Sequence, residues 1–427
     1  MKDAEMKRVY YSLYDRMLST EGLRQAFKKV KAAKGAAGID GQSIKAFAEE
    51  EGMHLIQLGD ELRAKTYKAL PVRRVTIPKE GGGERALGIP AVRDRVVQQR
   101  LLDILQPIFE PDFHPSSYAY RPKRGCHQAI GKVSMFVRRY NLRWVVDMDL
   151  SKCFDTLSHD RILEARRRRV RDGSILALIG KFLKSGVMEE GILHESEVGS
   201  PQGGVISPLL ANIYLNEFDQ EMKRRNYRIV RYADDIVILC RSKAAAENAL
   251  VKATGILERE LNLKVNQNKT RIVHASEGIP YLGVEIGAAY TRIQDKKVKG
   301  FKGKVKKLTR RNGSGDLQEV IRGLNPLLRG FANYFRVANC TGLLGELMGW
   351  IRRRLRARQL AMWKKPHRLH RRLRQLGYSG EFKHISMKSW RNAASPLVSM
   401  ALPNKELERL GLIDMSKVPT GYLPQVT

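Results

Sequence analysis

The sequence predicts an α+β protein in which strand-patterned and helix-patterned stretches occupy separate parts of the chain. Three observations carry this. Alternating or β-branched runs gather between Val72 and Ile89, from Trp144 to Leu150, and on either side of Asp234-Asp235. Apolar residues spaced by three and four mark the first 70 residues and the region from 296 to 395. At 427 residues with 43% apolar content, the chain is long enough for a large core and for two or three domains.

The charge balance narrows the class of partner. There are 78 Lys+Arg against 44 Asp+Glu, a net charge of +34, far beyond what solubility needs, and such a field attracts polyanions, nucleic acid above all. Cys126, Cys153, Cys240 and Cys340 are widely separated with no C-x-x-C pair, so neither a zinc knuckle nor a disulfide framework is suggested, and a reducing, cytoplasmic setting is expected. The N-terminus lacks the apolar core of a secretory signal, and no apolar run is long enough to span a membrane.

Taken in order, Leu23, Phe27 and Val30 share one face of a helix in the N-terminal region. Val72 to Ile89 then reads as a hairpin around Gly81-Gly82-Gly83, carrying Arg73, Arg74, Lys79 and Arg85, a basic finger suited to phosphates. A helix over Val92 to Phe109 follows, and Ser116 to Gly125 interleaves aromatics with cations, which suits stacking together with phosphate contact. Trp144 to Leu150 is a buried strand. Its period of two puts Asp147 and Asp149 on one face, and Ser151 to Asp155 turns away from it with Phe154 as the large apolar residue. Asp147 could instead pair with an arginine, and Asp155 could orient its own loop.

Arg161 to Leu183 reads as one basic helical segment, residues 199 to 204 as a Gly-Ser-Pro-Gln-Gly-Gly loop, and Ser207-Pro208 as the cap and first residue of a helix. Ile229 to Leu239 is a hairpin with Asp234-Asp235 at its turn. Lys243 to Leu261 is an amphipathic helix, and Tyr281 to Ile286 a further strand with Gly283 inside it. From Lys296 to Ser395 there are 26 Lys+Arg against 4 Asp+Glu. The helices there have one packed side and one basic side, with Arg352, Arg353, Arg354 and Arg356 forming a surface suited to a duplex.

Asp149, Asp234 and Asp235 stand at strand ends or turns. If their strands are neighbours, the carboxylates converge where only bound cations make their repulsion tolerable. Hard oxygen ligands with open positions suit Mg²⁺, and two such ions would activate an attacking hydroxyl and neutralise a leaving pyrophosphate. With basic fingers residues on the triphosphate, the chemistry is nucleotidyl transfer.

These motifs resemble the palm of reverse transcriptases: Asp149 within Val-Asp-Met-Asp-Leu-Ser-Lys-Cys-Phe-Asp, the loop at 199 to 204, and Tyr232-Ala233-Asp234-Asp235, in matching order. More narrowly, the hairpin from Val72 to Pro90, the block Ser-Pro-Leu-Leu-Ala-Asn-Ile-Tyr-Leu from 207, and Arg-Gly-Phe-Ala-Asn-Tyr-Phe-Arg from 329 with Gly-Trp-Ile-Arg-Arg-Arg-Leu-Arg from 349 resemble bacterial group II intron-encoded proteins. The resemblance runs from about residue 20 to 395.

It implies a right-hand polymerase with fingers, a palm holding a small antiparallel sheet, and a helical thumb and maturase region. The implied order is an N-terminal helical extension (1–70), fingers and palm (71–290), thumb/maturase (291–395) and a tail (396–427). Asp149, Asp234 and Asp235 match the metal-binding triad, with the Leu150 carbonyl as a further ligand. Phe154 matches the bulky residue beneath the incoming sugar, favouring dNTPs over rNTPs. Lys79 and Arg85 match triphosphate contacts, Gln202 the nucleotide-supporting loop, and Tyr281-Leu282-Gly283 the primer-steadying strand. The partners implied are the group II intron RNA, an RNA template and a DNA primer or target. The short stretch after Leu397 is too small for the His/Cys endonuclease domain often found in such proteins, which resembles the compact lineages lacking one. A reverse transcriptase acting on a non-intron RNA, and a splicing cofactor with a vestigial polymerase site, are the alternatives.

Overall fold

The computed structural model describes residues 8–78, 83–151, 153–189, 192–194 and 203–424, and for Arg85, Arg166, Glu189 and residues 192–194 the backbone alone. Two compact units emerge: residues 1–132 with 139–274, and residues 133–138 with 275–427. The strands are β1 (Val72–Pro78), β2 (Glu84–Ile89), β3 (Trp144–Asp149), β4 (Val187–Glu189), β5 (Ile192–His194), β6 (Arg228–Tyr232), β7 (Asp235–Cys240), β8 (Arg271–His274), β9 (Ile279–Tyr281), β10 (Val284–Ile286) and β11 (Thr291–Ile293).

In the first unit, helix Thr20–Ala33 buries Leu23, Ala26, Phe27 and Val30, and Ser19 caps it by accepting from the Gly22 amide. This helix packs on the long helix Val92–Phe109. The hairpin β1–β2 forms in register, Ile77 opposite Arg85, and β1 also pairs in parallel with β4, giving a four-stranded sheet in the order β2-β1-β4-β5.

The second sheet, in the order β6-β7-β3-β8, is antiparallel throughout. Its period-2 alternation assigns the two faces. Val146 and Met148 of β3, with Ile236, Ile238 and Cys240 of β7, join the main apolar core, to which helices Ser207–Arg224 and Lys243–Gly255 contribute Leu210, Tyr214, Phe218, Ala246 and Ala249. Asp147, Asp149 and Asp235 occupy the opposite face.

Several local readings are corrected. The segment Arg161 to Leu183 is two helices, His159–Arg167 and Gly173–Leu183, because Asp172 breaks it. Asp172 accepts from the Ser174 and Ile175 amides as cap of the second helix, and its other oxygen accepts from Leu13 N at 2.6 Å and Tyr14 N at 2.8 Å. Ser207 is inside its helix, with Ile206 as the N-cap. Tyr281 to Ile286 is not one strand: Leu282 and Gly283 have φ of +46° and +84°, the two left-handed residues of a tight hairpin turn joining β9 to β10.

In the second unit, β9, β10 and β11 precede helices Asp295–Leu308, Leu317–Phe335, Thr341–Trp363 and Pro366–Gln375. The sheet thus groups with the helices, the division between the two compact units falling after His274. A capping box of Asp316 and Glu319 starts Leu317–Phe335, and Phe331 stacks on Phe301 at 4.1 Å. The segment after Leu397 is folded: Val398 and Ala401 share a core with Leu360, Leu369 and Leu373, and the Gly421 amide reaches the Arg336 and Ala338 carbonyls. Among the described residues no helix is long and apolar enough to cross a membrane.

Candidate active site

The acids on the face of the β6-β7-β3-β8 sheet opposite the main core are brought together by register. Asp149 ends β3 and lies directly opposite Asp235, the first residue of β7, which on its other side pairs with Tyr232. Ala233 and Asp234 make the turn between β6 and β7, Ala233 with φ +58°. Like charges directly opposite in a sheet are unfavourable. The consequence is visible in Asp235, an exposed residue whose pKa is pushed up to about 7 by desolvation of its carboxyl among its neighbours and by Asp234, Asp149 and Asp147, with Lys269 opposing. Asp234 also acts on Cys153, whose thiol goes to about 12 through burial first and then that carboxylate. Asp147, two residues back on the same face, is 3.5 Å from Arg271 Nε, the arginine pairing anticipated as its alternative.

The chain wraps the end of β3. The Asn266 amide donates to the Asp149 carbonyl at 2.8 Å, Asn266 Nδ2 to Asp149 Oδ2 at 3.2 Å, and Lys269 Nζ to the same oxygen at 2.8 Å. The Lys269 pKa is raised, first by that hydrogen bond. Leu150 is buried and bridges to Val265. Phe154, in the short turn Cys153–Thr156, is buried among the main core residues.

Beneath the turn lies a buried ion pair. Arg231 of β6 is 1% exposed and donates from Nε and Nη2 to Asp219, from Nη1 to Asn212 Oδ1 at 3.0 Å and to the Ala233 carbonyl at 3.1 Å, and from Nη2 to Ser117 Oγ at 3.0 Å. A planar donor fork that satisfies this many acceptors is what makes a buried guanidinium tolerable, and removal of one partner from such a pair costs about 3–5 kcal/mol. The network grips the turn that carries Asp234. Sequence reasoning passed over Asp219, Asn212, Asn266 and Lys269. The available signals were an arginine following the apolar pair Ile229-Val230 and two polar residues, Asn212 and Asp219, seven apart and so on one side of a helix whose buried face is otherwise mostly apolar.

A second approach concerns the fingers hairpin. Gly203 has φ +119°, and a Cβ there would be 2.2 Å from the Gly88 carbonyl oxygen, so the loop before helix Ser207–Arg224 passes in backbone contact with β2. Lys79 and Gln202 lie outside the described residues, and Arg85 is placed by its backbone alone, opposite Ile77.

In the second unit, Tyr281 is buried at the end of β9, and the Leu282 carbonyl accepts from Tyr334 Oη at 2.9 Å. The four arginines expected to face RNA are half-buried and engaged within that unit. Arg352 is 2.8 Å from Asp414, Arg353 and Arg354 lie over Trp390 at 5.1 and 5.5 Å, and Arg356 donates to the Leu402 carbonyl and Asn404. The exposed cations are elsewhere, among them Lys299, Lys302, Arg322, Arg329 and Arg336.

A group of hard oxygen donors crowded by like charge, with an ammonium drawn onto one of them, is chemistry that fits a divalent cation. Among the described residues no three carboxylate, imidazole or thiol side chains close round one point.

Comparison with known proteins gives two family matches. Residues 77–286 match the model described as reverse transcriptase (RNA-dependent DNA polymerase), and residues 298–377 the group II intron, maturase-specific domain. Protein YkfC of Escherichia coli is 38% identical over 302 residues, covering 62% of this chain and 79% of YkfC. The group II intron-encoded protein LtrA of Lactococcus lactis is 30% identical over 377 residues, 72% of this chain and 61% of LtrA. Nuclear intron maturase 4 of Arabidopsis thaliana is 30% identical over 147 residues, 34% of this chain and 18% of that protein.

Proposed function

The chain belongs to the group II intron-encoded reverse transcriptase and maturase family, and from that premise we propose how its residues divide the work. It is an RNA-directed DNA polymerase with a maturase role in group II intron splicing, an RNA-binding protein whose family uses divalent metal ions and dNTPs. The observation that carries the assignment of the site is the Asp149–Asp235 register pair on the sheet face turned away from the core, with Asp234 in the adjoining turn.

In this reading Asp149, Asp234 and Asp235, with the Leu150 carbonyl, hold two Mg²⁺ ions. When bound, Mg²⁺ lowers the pKa of the attacking primer hydroxyl and neutralises the departing pyrophosphate. The protein's own part is positional. The β6–β7 hairpin holds Asp234 and Asp235 and the end of β3 holds Asp149, Arg231 fixes the hairpin turn, and Lys79, Arg85 and Gln202 meet the incoming nucleotide from the fingers side. Phe154 closes the sugar pocket against a 2′-hydroxyl. Tyr281-Leu282-Gly283, the end of β9 with its left-handed turn at Leu282 and Gly283, steadies the primer end. The exposed cations of the second unit hold the intron RNA, so that the RNA performs splicing while the protein offsets phosphate repulsion. Copying from a nicked or nascent DNA end at a target completes retrohoming.

Primer extension on an RNA template with dNTPs and Mg²⁺ tests this. Wild-type protein yields cDNA and Asp234→Ala yields none. Equal product from both, or none from the wild type, overturns the polymerase assignment. Phe154→Ala is expected to admit rNTPs, and unchanged sugar selectivity overturns that role.

A further inference from the structure

Asp94 is a buried carboxylate that the metal-binding acids do not touch. It stands in the first turn of helix Val92–Phe109 and is 1% exposed. Its two oxygens are divided between donors from one stretch of chain, Tyr67 Oη giving to Oδ1 at 2.5 Å and the Leu70 amide to Oδ2 at 3.0 Å. Burial pushes its pKa up to about 6, the Tyr67 and Leu70 hydrogen bonds and Arg93 opposing and Asp40 adding to the rise, so at neutral pH it accepts both bonds as a carboxylate. Tyr67 is itself fixed. Lys181 Nζ, from helix Gly173–Leu183, donates to its carbonyl at 2.6 Å, and the Arg93 guanidinium lies over its ring at 5.4 Å.

The placing of these bonds in the chain matters. Leu70 stands two residues before β1 and Asp94 five residues after β2, so one carboxylate joins both feet of the β1–β2 hairpin. A second tie joins the same feet: Arg73 of β1 donates to the Ala37 carbonyl at 2.8 Å, and Arg95 to the adjoining Ala36 carbonyl and to the Pro90 carbonyl at 3.0 Å. Beyond its feet the hairpin has little core. In β1 only Val72 is buried, and Thr76, Ile77 and Pro78 are exposed. Its direction is therefore set where it is tied, and two ties fix an angle where one leaves a pivot. Seven residues of strand make an arm of about 20 Å, so a rotation of about 3° at the feet moves the outer end by about 1 Å.

Resting on the polymerase reading above, we propose that Asp94 is a positioning residue of the reaction, a brace that sets the angle at which the β1–β2 hairpin presents Arg85 to the triphosphate of the incoming dNTP. A reacting group misplaced by about 1 Å costs on the order of a hundredfold in rate. Loss of one tie of two costs part of that, and it falls on the nucleotide.

The test uses Asp94→Ala, Asp94→Asn, Tyr67→Phe and Phe27→Leu in the full chain. Asp94→Ala is expected to raise KM for dNTP by about tenfold, with kcat changed less and RNA affinity retained. Tyr67→Phe, which loses a single hydrogen bond, raises KM by about two- to tenfold and decides alone where Asp94→Ala does not fold. Asp94→Asn keeps the shape and both hydrogen-bonding positions and recovers most of the loss. Phe27→Leu, a core change elsewhere in the same unit, lowers stability and leaves KM at the wild-type value. Nitroxides at Ile77→Cys and Val251→Cys, exposed positions of that unit, in a Cys126→Ser background because the other three cysteines are buried, read the angle of the hairpin without turnover. Their distance distribution should move or broaden by about 1–3 Å in Asp94→Ala and Tyr67→Phe. An unchanged distribution in both, or a KM rise in Phe27→Leu equal to theirs, overturns the proposal. A moved distribution with wild-type KM counts against the nucleotide contact assigned to the hairpin in the reading above and leaves Asp94 as its brace.

Discussion

Lys269 Nζ donates to Asp149 Oδ2 at 2.8 Å, so the carboxylate at the end of β3 already carries a cation supplied by the chain. Any divalent ion that uses this oxygen competes with the ammonium. The lysine is 66% exposed, and exposed ion pairs are worth about 0.2–1 kcal/mol, so the competition is modest. Lys269→Met is expected to lower the Mg²⁺ concentration at half-maximal thermal stabilisation by about two- to fivefold. Titration by calorimetry or thermal shift measures it, and a higher Mg²⁺ requirement would show that Lys269 helps to bind the ion.

Asp235 links pH to stability in a direction opposite to that of a salt-bridged aspartate. Its folded pKa is about 7 against the ordinary 3.8, through desolvation of its carboxyl and its carboxylate neighbours. The folded state holds the proton more tightly. The stabilising contribution is therefore complete below about 4 and is lost as pH rises through about 7. Asp235→Asn, which cannot ionise, should melt above the wild type at pH 8 in EDTA, show no gain at pH 4, and fail to extend a primer. A melting difference independent of pH would refute the repulsion account.

Gly203 predicts a separable loss. An alanine there meets the Gly88 carbonyl at 2.2 Å and takes φ of +119°, which L side chains rarely adopt, so the loop must lift off β2. Misplacement by about 1 Å costs on the order of a hundredfold in rate. Gly203→Ala should lose extension by at least about tenfold, with its circular dichroism spectrum and RNA affinity retained. Full extension activity would mean that the contact between loop and hairpin is incidental.

What the sequence made legible was local. Asp149 and Asp235 could be found because each stands at the end of a strand with clear β patterning, and the hairpin could be found from the two β-branched runs flanking the acids, although an alanine at φ +58° is not a residue that turn chemistry alone would place there. Their pairing could only be conditional, since register across 86 positions of chain is decided by packing. Arg231 and Asp219 looked like an ordinary strand charge and an ordinary helix charge, because the partner of a buried ion is chosen in three dimensions. The turn at Leu282 escaped notice because a leucine at φ +46° contradicts its own propensity, and Tyr-Leu-Gly-Val-Glu-Ile reads as strand throughout. Asp172 was hidden by the arginine run before it, where charge suggested a continuous solvated helix.

Arg352 shows the same limit on the basic side and yields a further prediction. Its side chain is 15% exposed and 2.8 Å from Asp414, itself 9% exposed, so its charge is used to seat the segment after Leu397 on helix Thr341–Trp363. Arg329 is exposed on the neighbouring helix Leu317–Phe335, seven residues from exposed Arg322 and from exposed Arg336 just beyond the helix end, a spacing of about two turns that keeps the three on one side. Arg352→Ala should therefore lower stability by about 1.5–3 kcal/mol, the worth of hydrogen bonds to a charged group. The slope of log RNA affinity against log salt should be unchanged. Arg329→Ala should leave the melting temperature alone and reduce that slope by about 1, one phosphate contact fewer. Salt-dependent filter binding and calorimetry on the two variants separate the roles. A reduced slope with unchanged stability in Arg352→Ala would return that arginine to the RNA-binding face.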